Sequence, residues 1–221
     1  MDLLLVRHGE SEGNSLGQLQ GHVDSPLTPL GRAQARRVGA WLKAQAPRWA
    51  AAYCSPLSRA RETAEIIANQ TGYPAALNDD DLREVAAGDL EGLNRDQIWK
   101  KYPGYADRKI TDLGDFAEFG GEGYDDVQAR VGRFLDRLER RHKPGADVVL
   151  VVAHGGLLFQ LVKSVVCVPV PRVCILQWGN CTATLLRFRE RRGTFMAEIT
   201  WHVPIDLMGM SSGEESTGVF R

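Results

Sequence analysis

Short apolar runs alternate with amphipathic segments along this chain. Residues 3–6 and 148–153 are apolar runs of strand length, and each is bounded by polar residues or glycine. The segments that begin at Pro29, Ser58 and Asp125 carry apolar residues at helical spacing instead. Such an alternation predicts an α/β fold of three layers, with a mainly parallel central sheet and helices on both faces.

Further elements of this fold are predicted by the same reasoning. Four more strands are expected: residues 51–54, the segment around Leu77, residues 182–188 and residues 195–201. A buried helix is expected over residues 157–166, because that segment is apolar on almost every side. The arginine-rich residues 189–193 are expected to form a solvated turn between the last two strands.

The chain of 221 residues shows no repeat and no linker that would divide it. We therefore predict one domain over residues 1–208. Residues 93–123 are rich in charge, glycine and aromatic side chains, and they are predicted to form a loop-helix insertion over one end of the sheet. The small polar residues 209–221 are predicted to form a flexible C-terminal tail.

Charge and hydropathy disfavour several classes of partner. The 27 Lys and Arg residues balance 28 Asp and Glu residues, so no global field favours nucleic acid or an anionic membrane. The first apolar stretch runs straight into Arg7, and we expect no secretory signal and no membrane span. The sequence leaves the oligomeric state open, including a homodimer.

The four cysteines give little sign of metal or redox chemistry. They are Cys54, Cys167, Cys174 and Cys181, and no two of them form a Cys-x-x-Cys pair. We interpret them as small core residues of a protein in a reducing, cytoplasmic compartment.

Candidate functional residues follow the predicted strands. Arg7-His8-Gly9-Glu10 comes directly after the first strand, and ligands of open α/β sheets gather at the carboxyl ends of strands. A histidine beside an arginine suits an anion better than a metal cation. At His154-Gly155, after the strand at 148–153, glycine lets backbone N–H groups approach a ligand, and a helix N-terminus attracts anions.

Five motifs, in order along residues 4–188, make this set specific: Arg7-His8-Gly9-Glu10 with Asn14, Gly21-x-x-Asp24-x-Pro26-Leu27-Thr28-x-x-Gly31-x-x-Gln34-Ala35, Ser55-Pro56-Leu57-x-Arg59-Ala60-x-x-Thr63-Ala64, Glu84 with Gly88 and Glu91-Gly92, and Ala153-His154-Gly155-Gly156. Together they resemble the motifs of the histidine phosphatase superfamily, also called phosphoglycerate mutase-like. The resemblance implies that family's fold.

The resemblance also implies a role for each matched residue. His8 would attack phosphorus as a neutral imidazole and become a phosphohistidine, with its other ring nitrogen fixed by a backbone carbonyl. Arg7, Arg59 and His154 would hold the phosphoryl oxygens, and Glu84 would protonate the leaving alkoxide and then deprotonate water. No metal or other cofactor is implied, because the arginines supply the positive charge.

Four more positions are expected to contact the substrate. Asn14 would be an uncharged phosphate contact, and Gly155 would bring backbone N–H groups to the phosphate. Gly21 and His22, in the glycine-rich loop after the first motif, are expected at the rim of the pocket.

Several of these residues also have structural interpretations. Taken alone, His8 or His154 could be a core histidine with satisfied hydrogen bonds, and Arg59 could be a surface ion-pair partner. Glu84 is selected over Asp81, Asp89 and Glu91 only by the family's spacing to Gly88.

Three functions stay open within the resemblance. We favour a metal-independent phosphatase acting on a small phosphorylated metabolite. A phosphoglycerate mutase is the alternative, but mutases usually carry Trp where this chain has Gly13, and they carry extra basic residues in a longer insertion. The motif Gly121-Glu122-Gly123 also lacks the serine that is usual in the family at its third position. A non-catalytic phosphate-binding module is the second alternative, although no pocket residue is missing.

Overall fold

The computed structural model describes residues 1–45, 49–108, 114–143, 147–165, 178–191 and 194–208. Within them, six strands form one sheet in the order β3-β2-β4-β1-β5-β6. The strands are β1 (Asp2–Arg7), β2 (Ala51–Cys54), β3 (Leu77–Asn78), β4 (Val148–Ala153), β5 (Ala183–Arg191) and β6 (Thr194–Val203).

The sheet is mixed but mainly parallel, as predicted. Strand β4 pairs in parallel with β1 and β2, and β2 pairs in parallel with β3. Strands β5 and β6 add an antiparallel edge beside β1. Arg7 lies opposite Ala153, and Cys54 lies opposite Val152. The residues that follow β1, β2 and β4 therefore leave the sheet at the same edge.

Helices cover both faces of the sheet, which confirms the predicted three layers. They are α1 (Glu12–Ser15), α2 (Pro29–Gln45), α3 (Ser58–Thr71), α4 (Arg95–Lys101), α5 (Tyr124–Arg141) and α6 (Gly155–Val165). Successive side chains of a strand point to opposite faces. Accordingly, Leu3 and Leu5 pack with the apolar stripes of α5 and α6, whereas Leu4 and Val6 pack with α2 and α3.

Helix α2 begins where the sequence predicts. Thr28 Oγ1 accepts a hydrogen bond from Gly31 N at 3.0 Å, which satisfies one of the free N–H groups of the first turn. Pro29 follows at the first helical position, where its missing N–H costs nothing. The helix starts that the sequence places near residues 58 and 125 are confirmed at Ser58 and Tyr124.

Two boundaries differ from prediction. Helix α6 starts at Gly155, two residues before the predicted start, and the expected end at residue 166 lies outside the described residues. Strand β5 extends to Arg191 and strand β6 begins at Thr194, so most of the expected turn is strand. Arg189 is correspondingly not in a solvated turn, because its Nη1 donates to Asp2 Oδ1 at 3.2 Å.

The insertion over residues 93–123 contains α4 and two short 3-10 helices among its described residues, Pro103–Asp107 and Ala117–Phe119. The expected tail at 209–221 lies outside the described residues. Cys54 and Cys181 are buried and free, as expected for core residues, whereas Cys167 and Cys174 also lie outside the described part.

Candidate active site

The ends of β1 and β4 bring two histidines together. His8 N donates to the carbonyl oxygen of Ala153 at 2.9 Å, which continues the parallel pairing past the strands. The ring centroids of His8 and His154 are consequently 5.0 Å apart, with the planes tilted by 59°. The predicted convergence of these two motifs is confirmed by this geometry.

His8 is arranged as a neutral imidazole with one free nitrogen. Its Nδ1 lies 2.7 Å from the carbonyl oxygen of Gly9, and because a carbonyl only accepts, Nδ1 carries the hydrogen. The ring is 2% exposed. Burial, with the positive charges of Arg7 and Arg59, holds the pKa of His8 well below its ordinary value. The neutral ring therefore presents the lone pair of Nε2.

Arg59, which is buried, and Arg7, which is partly buried, face the same space. Arg59 donates from Nη1 to the carbonyl of Val23 at 2.9 Å and from Nη2 to the carbonyl of Gly21 at 2.8 Å. Arg7 donates from Nη1 to the carbonyl of Trp178. These bonds fix both guanidinium planes. The pKa of each arginine is lowered, mainly by burial.

Three buried nitrogens at this site make no hydrogen bond within the described residues: Arg7 Nε, Arg59 Nε and His154 Nδ1. Unpaired buried donors are costly, and native proteins usually satisfy them with protein, water or ligand. His154 Nε2 is occupied by a hydrogen bond of 2.8 Å with Ser55 Oγ, so only its Nδ1 is free. Burial and nearby cationic groups also hold the pKa of His154 well below its ordinary value.

A cavity of about 250 Å³ adjoins these groups. Its lining combines the site residues with an apolar and amide wall: Arg7, His8, Asn14, Gln18, Leu19, Gln20, Gly21, Arg59, Glu84, Val85, Gly114, Phe116, Gly156, Phe159 and Gln160. His154 is not part of this lining and contacts the site through its position beside His8. Residues of the predicted insertion, Gly114 and Phe116, do reach the cavity.

Asn14 is oriented by its neighbours. Its Oδ1 accepts hydrogen bonds from Ser11 N at 3.2 Å and from Asn180 Nδ2 at 3.1 Å. With its oxygen engaged, the Asn14 side chain can offer only its NH₂ group to a ligand.

Glu84 lies in the cavity and closes the N-terminus of α6. Its Oε1 accepts from Leu157 N at 2.8 Å and from Val85 N at 2.9 Å, and Oε2 accepts from Gly156 N at 3.1 Å. A Cβ atom at Gly156 would stand 2.8 Å from Glu84 Oε1, so only glycine leaves the room that this contact needs. Glu91, one of the other candidate carboxylates, instead accepts from His22 N and Ala87 N.

Two expected substrate contacts, Gly155 and His22, are placed differently from prediction, whereas Gly21 lines the cavity as expected. The helix N-terminus that begins at Gly155 is occupied by the Glu84 carboxylate, and Gly155 is not part of the cavity lining. His22 is also not part of the lining, because its Nε2–H donates to the backbone carbonyl of Glu84 at 2.8 Å. Gly21 does line the cavity, but its carbonyl holds Arg59, and its φ of +49° suits glycine.

Sequence reasoning missed the segment that precedes β5. Asn180 Nδ2 donates to both Asn14 Oδ1 and the carbonyl of His8, at 3.1 Å each. Cys181 N bonds the carbonyl of His8 at 3.2 Å as well. Gly179-Asn180 has no pattern beyond that of a turn, so only the folded contacts reveal its place at the site.

The two buried histidines make stability depend on pH. Their pKa values are lowered in the folded protein, so as pH falls below about 6.5 the unfolded chain takes up protons first. We expect the free energy of unfolding to fall by about 1.4 kcal/mol per pH unit for each histidine in this range. In urea unfolding between about pH 6 and 5, His154→Asn should lower the slope of the unfolding free energy against pH by the contribution of one histidine, about 1.4 kcal/mol per pH unit. An unchanged slope would contradict the assignment.

The described part of the chain shows neither a cluster of metal-binding side chains nor a membrane-spanning helix. No group of three or more His, Cys, Asp or Glu side chains there could hold a metal ion. No helix among these residues is long and apolar enough to cross a bilayer. The expectations of metal independence and of a cytoplasmic location stay predictions.

Comparison with known proteins places this arrangement in context. Residues 3–198 match the model of the histidine phosphatase superfamily, branch 1. The 2,3-bisphosphoglycerate-dependent phosphoglycerate mutase of Brucella ovis is 36% identical over 167 residues, which are 73% of this chain and 80% of the mutase.

Solved phosphatase structures share the fold. A mycobacterial glucosyl-3-phosphoglycerate phosphatase in complex with VO₃ superposes with a TM-score of 0.74 at 28% identity, covering 90% of this chain and 96% of that one. An Escherichia coli protein described as a putative α-ribazole-5′-phosphate phosphatase superposes with a TM-score of 0.70 at 25% identity, covering 90% and 95%. The relatives thus include both mutases and phosphatases.

Proposed function

This chain belongs to the histidine phosphatase superfamily, and we propose that it is a phosphatase that hydrolyses a small phosphorylated metabolite through a phosphohistidine at His8. The observation that carries the proposal is a set of three buried nitrogens beside His8 that make no hydrogen bond within the described residues: Arg7 Nε, Arg59 Nε and His154 Nδ1. The two arginine nitrogens are donors, and His154 Nδ1 is a donor when the neutral ring carries its hydrogen there. A phosphoryl group brings three charged oxygens, which such donors satisfy.

In the first half of the proposed reaction, His8 Nε2 attacks phosphorus. The bond between phosphorus and the leaving oxygen breaks, and the Glu84 carboxyl gives its proton to that oxygen, which departs as an alcohol. The hydrogen bond from His8 Nδ1 to the Gly9 carbonyl supports the ring as it becomes positively charged. The product of this half is phospho-His8 and a Glu84 carboxylate.

In the second half, water attacks the phosphohistidine. Glu84 takes the proton of the attacking water, the bond between phosphorus and Nε2 breaks, and inorganic phosphate leaves. Hydrogen bonds from Gly156 N and Leu157 N hold the Glu84 carboxyl in the cavity during both halves. The enzyme returns to its starting protonation state.

Positive charge comes from the two arginines in this proposal. Their guanidinium groups are held by the carbonyls of Gly21, Val23 and Trp178, so they need not reorganise when charge develops on the phosphoryl oxygens. With Ser55 Oγ–H donating to Nε2 of His154, the neutral ring would offer Nδ1–H as a further donor. No metal ion is required for this charge balance.

The cavity lining favours hydrolysis over the mutase reaction. Arg7 and Arg59 are the only Lys or Arg side chains that line it within the described residues, and both belong to the single anion site. A phosphoglycerate mutase must also hold a carboxylate and a second phosphate. The apolar side chains Leu19, Phe116 and Phe159 in the same lining suit an uncharged leaving group better.

Two alternatives to this proposal rest on different observations. The similarity to the phosphoglycerate mutase of Brucella ovis supports the mutase alternative. A non-catalytic binding module would not need the acid, yet Glu84 lies in the cavity together with Arg7, His8 and Arg59.

An assay of phenyl phosphate with excess EDTA tests the proposed function. We expect inorganic phosphate to be released at the same rate with and without EDTA, and without 2,3-bisphosphoglycerate. A loss that magnesium or zinc restores would contradict metal independence. Conversion of 3-phosphoglycerate to 2-phosphoglycerate that depends on 2,3-bisphosphoglycerate, and outpaces hydrolysis, would identify a mutase. Phosphate binding without turnover of any ester would identify a binding module.

A further inference from the structure

A buried cation on α5 lies behind the site and takes no part in the steps above. Arg130 is 6% exposed. Its Nε and Nη2 donate to the two carboxylate oxygens of Glu122 at 2.7 and 2.9 Å. Its Nη1 donates to the carbonyls of Asp81 and Arg83 at 2.8 Å each, and Nη2 donates to the carbonyl of Glu84 at 3.1 Å. These bonds use all five N–H groups of the guanidinium.

The arrangement joins three parts of the chain around Glu84. Glu122 Oε2 also accepts from Ala86 N at 2.8 Å, so the ion pair grips the chain on both sides of Glu84. His22 Nε2–H donates to the same carbonyl of Glu84 at 2.8 Å. Two donors from different elements therefore converge on the backbone oxygen of one residue.

Ordinary secondary structure does not hold Glu84. Its backbone lies in an irregular segment between the short 3-10 helices Asp80–Leu82 and Gly88–Leu90. Burying a cation costs free energy unless its hydrogen bonds are complete, as they are for Arg130. The motif Gly121-Glu122-Gly123 is thereby explained: Glu122 is the ion-pair partner of Arg130.

We propose that Arg130 is a positioning residue, which fixes the backbone of Glu84 so that its carboxyl meets the leaving oxygen of the substrate. The inference rests on the proposed function, in which Glu84 is the proton donor. Proton transfer needs the two heavy atoms within about 2.6–3.2 Å. A misplacement of about 1 Å can cost about 10²-fold in rate.

Leaving-group dependence separates this role from a merely structural one. Nitrophenolate leaves with little help from an acid, whereas an alkoxide needs the proton. The value of kcat/KM reports events up to the first irreversible step, which here is loss of the leaving group. We therefore compare the two esters by one ratio for each variant: kcat/KM for glycerol phosphate divided by kcat/KM for 4-nitrophenyl phosphate.

For Arg130→Met, we expect kcat/KM to fall by about 10²-fold on glycerol phosphate but by only about threefold on 4-nitrophenyl phosphate. Glu84→Gln should shift the ratio in the same direction and further, by about 10²-fold to 10⁴-fold. Arg130→Lys keeps the charge opposite Glu122 but cannot reach all three carbonyls, and its ratio should lie between those of wild type and Arg130→Met.

Arg137→Met is the matched control. Arg137 lies on the same helix and pairs with Asp79 and Asp81, close to the same segment, but it makes no hydrogen bond to Glu84. Its ratio should equal that of wild type. If Arg130→Met does not fold, His22→Ala removes the other donor to the Glu84 carbonyl, and it should shift the ratio in the same direction.

The outcomes distinguish this inference from the proposed function. Equal losses on both esters in Arg130→Met, or an equal shift in Arg137→Met, would overturn the positioning role. So would a normal ratio in His22→Ala when Arg130→Met cannot be obtained. If Glu84→Gln shifts the ratio and Arg130→Met does not, only this inference fails. A wild-type protein that turns over neither ester would overturn both.

Discussion

Replacing His8 by alanine is expected to lower kcat by about 10⁴-fold or more, because the proposed nucleophile is lost and the chemistry has no second route. The remaining residues of the anion site stay in place, so phosphate should still bind. Steady-state assays with 4-nitrophenyl phosphate measure the first effect, and titration of inorganic phosphate measures the second.

His142→Ala is the control for this variant. His142 hydrogen bonds Tyr53 Oη at 3.2 Å and is not part of the cavity lining, so its loss should leave turnover near that of wild type. Activity of His8→Ala close to wild type would rule out His8 as the nucleophile. Equal losses in the two variants would point to a general effect on folding.

Replacing Arg59 by methionine is expected to lower kcat/KM by about 10³-fold, the upper range for loss of one preorganised donor to developing charge. Arg59 Nε is unpaired beside the cavity, and both Nη atoms are held by backbone carbonyls. Lysine lacks the planar guanidinium group that makes these contacts together, so Arg59→Lys should recover little of the loss.

Arg61→Met is the matched control on the same helix. Arg61 is half exposed, and its one ion pair within the described residues, with Glu65, is long at 3.9 Å, so its loss should change kcat/KM little. Circular dichroism of each variant establishes that the fold persists. An Arg59→Met protein with kcat/KM near that of wild type would remove Arg59 from the anion site.

The sequence was informative where local pattern carries the structure. Apolar runs at β1 and β4 identified buried strands, and their parallel pairing places His8 beside His154. The cap at Thr28 identified the start of α2. These features depend on residues that are close in sequence or on general rules of sheet packing, so they can be predicted without coordinates.

Long-range contacts explain what was missed. The start of α6 at Gly155 depends on the Glu84 carboxylate, which lies more than 70 positions earlier and occupies the N–H groups that we assigned to a ligand. The support that Asn180 gives to Asn14 likewise joins distant loops. No periodic pattern of residues in the sequence predicts such long-range pairs.

His22 is a second case in which the sequence did not predict the contact that a residue makes. Its position in a glycine-rich loop after the first motif suggested a rim residue. In the fold its ring turns to the carbonyl of Glu84, beside Arg130. Sequence proximity to a motif identified a residue near the site, but the contact that defines its role comes from two other segments.

Trapping the phosphorylated enzyme tests the central claim most directly. The wild-type protein is quenched in base during turnover of a phosphate ester, and the modified residue is identified by mass spectrometry and ³¹P NMR. Because Nδ1 of His8 is committed to the Gly9 carbonyl, we expect an acid-labile, base-stable phosphoryl group on Nε2 of His8. A phosphoryl group on any other atom, or turnover with no phosphorylated enzyme at any time, would contradict the account.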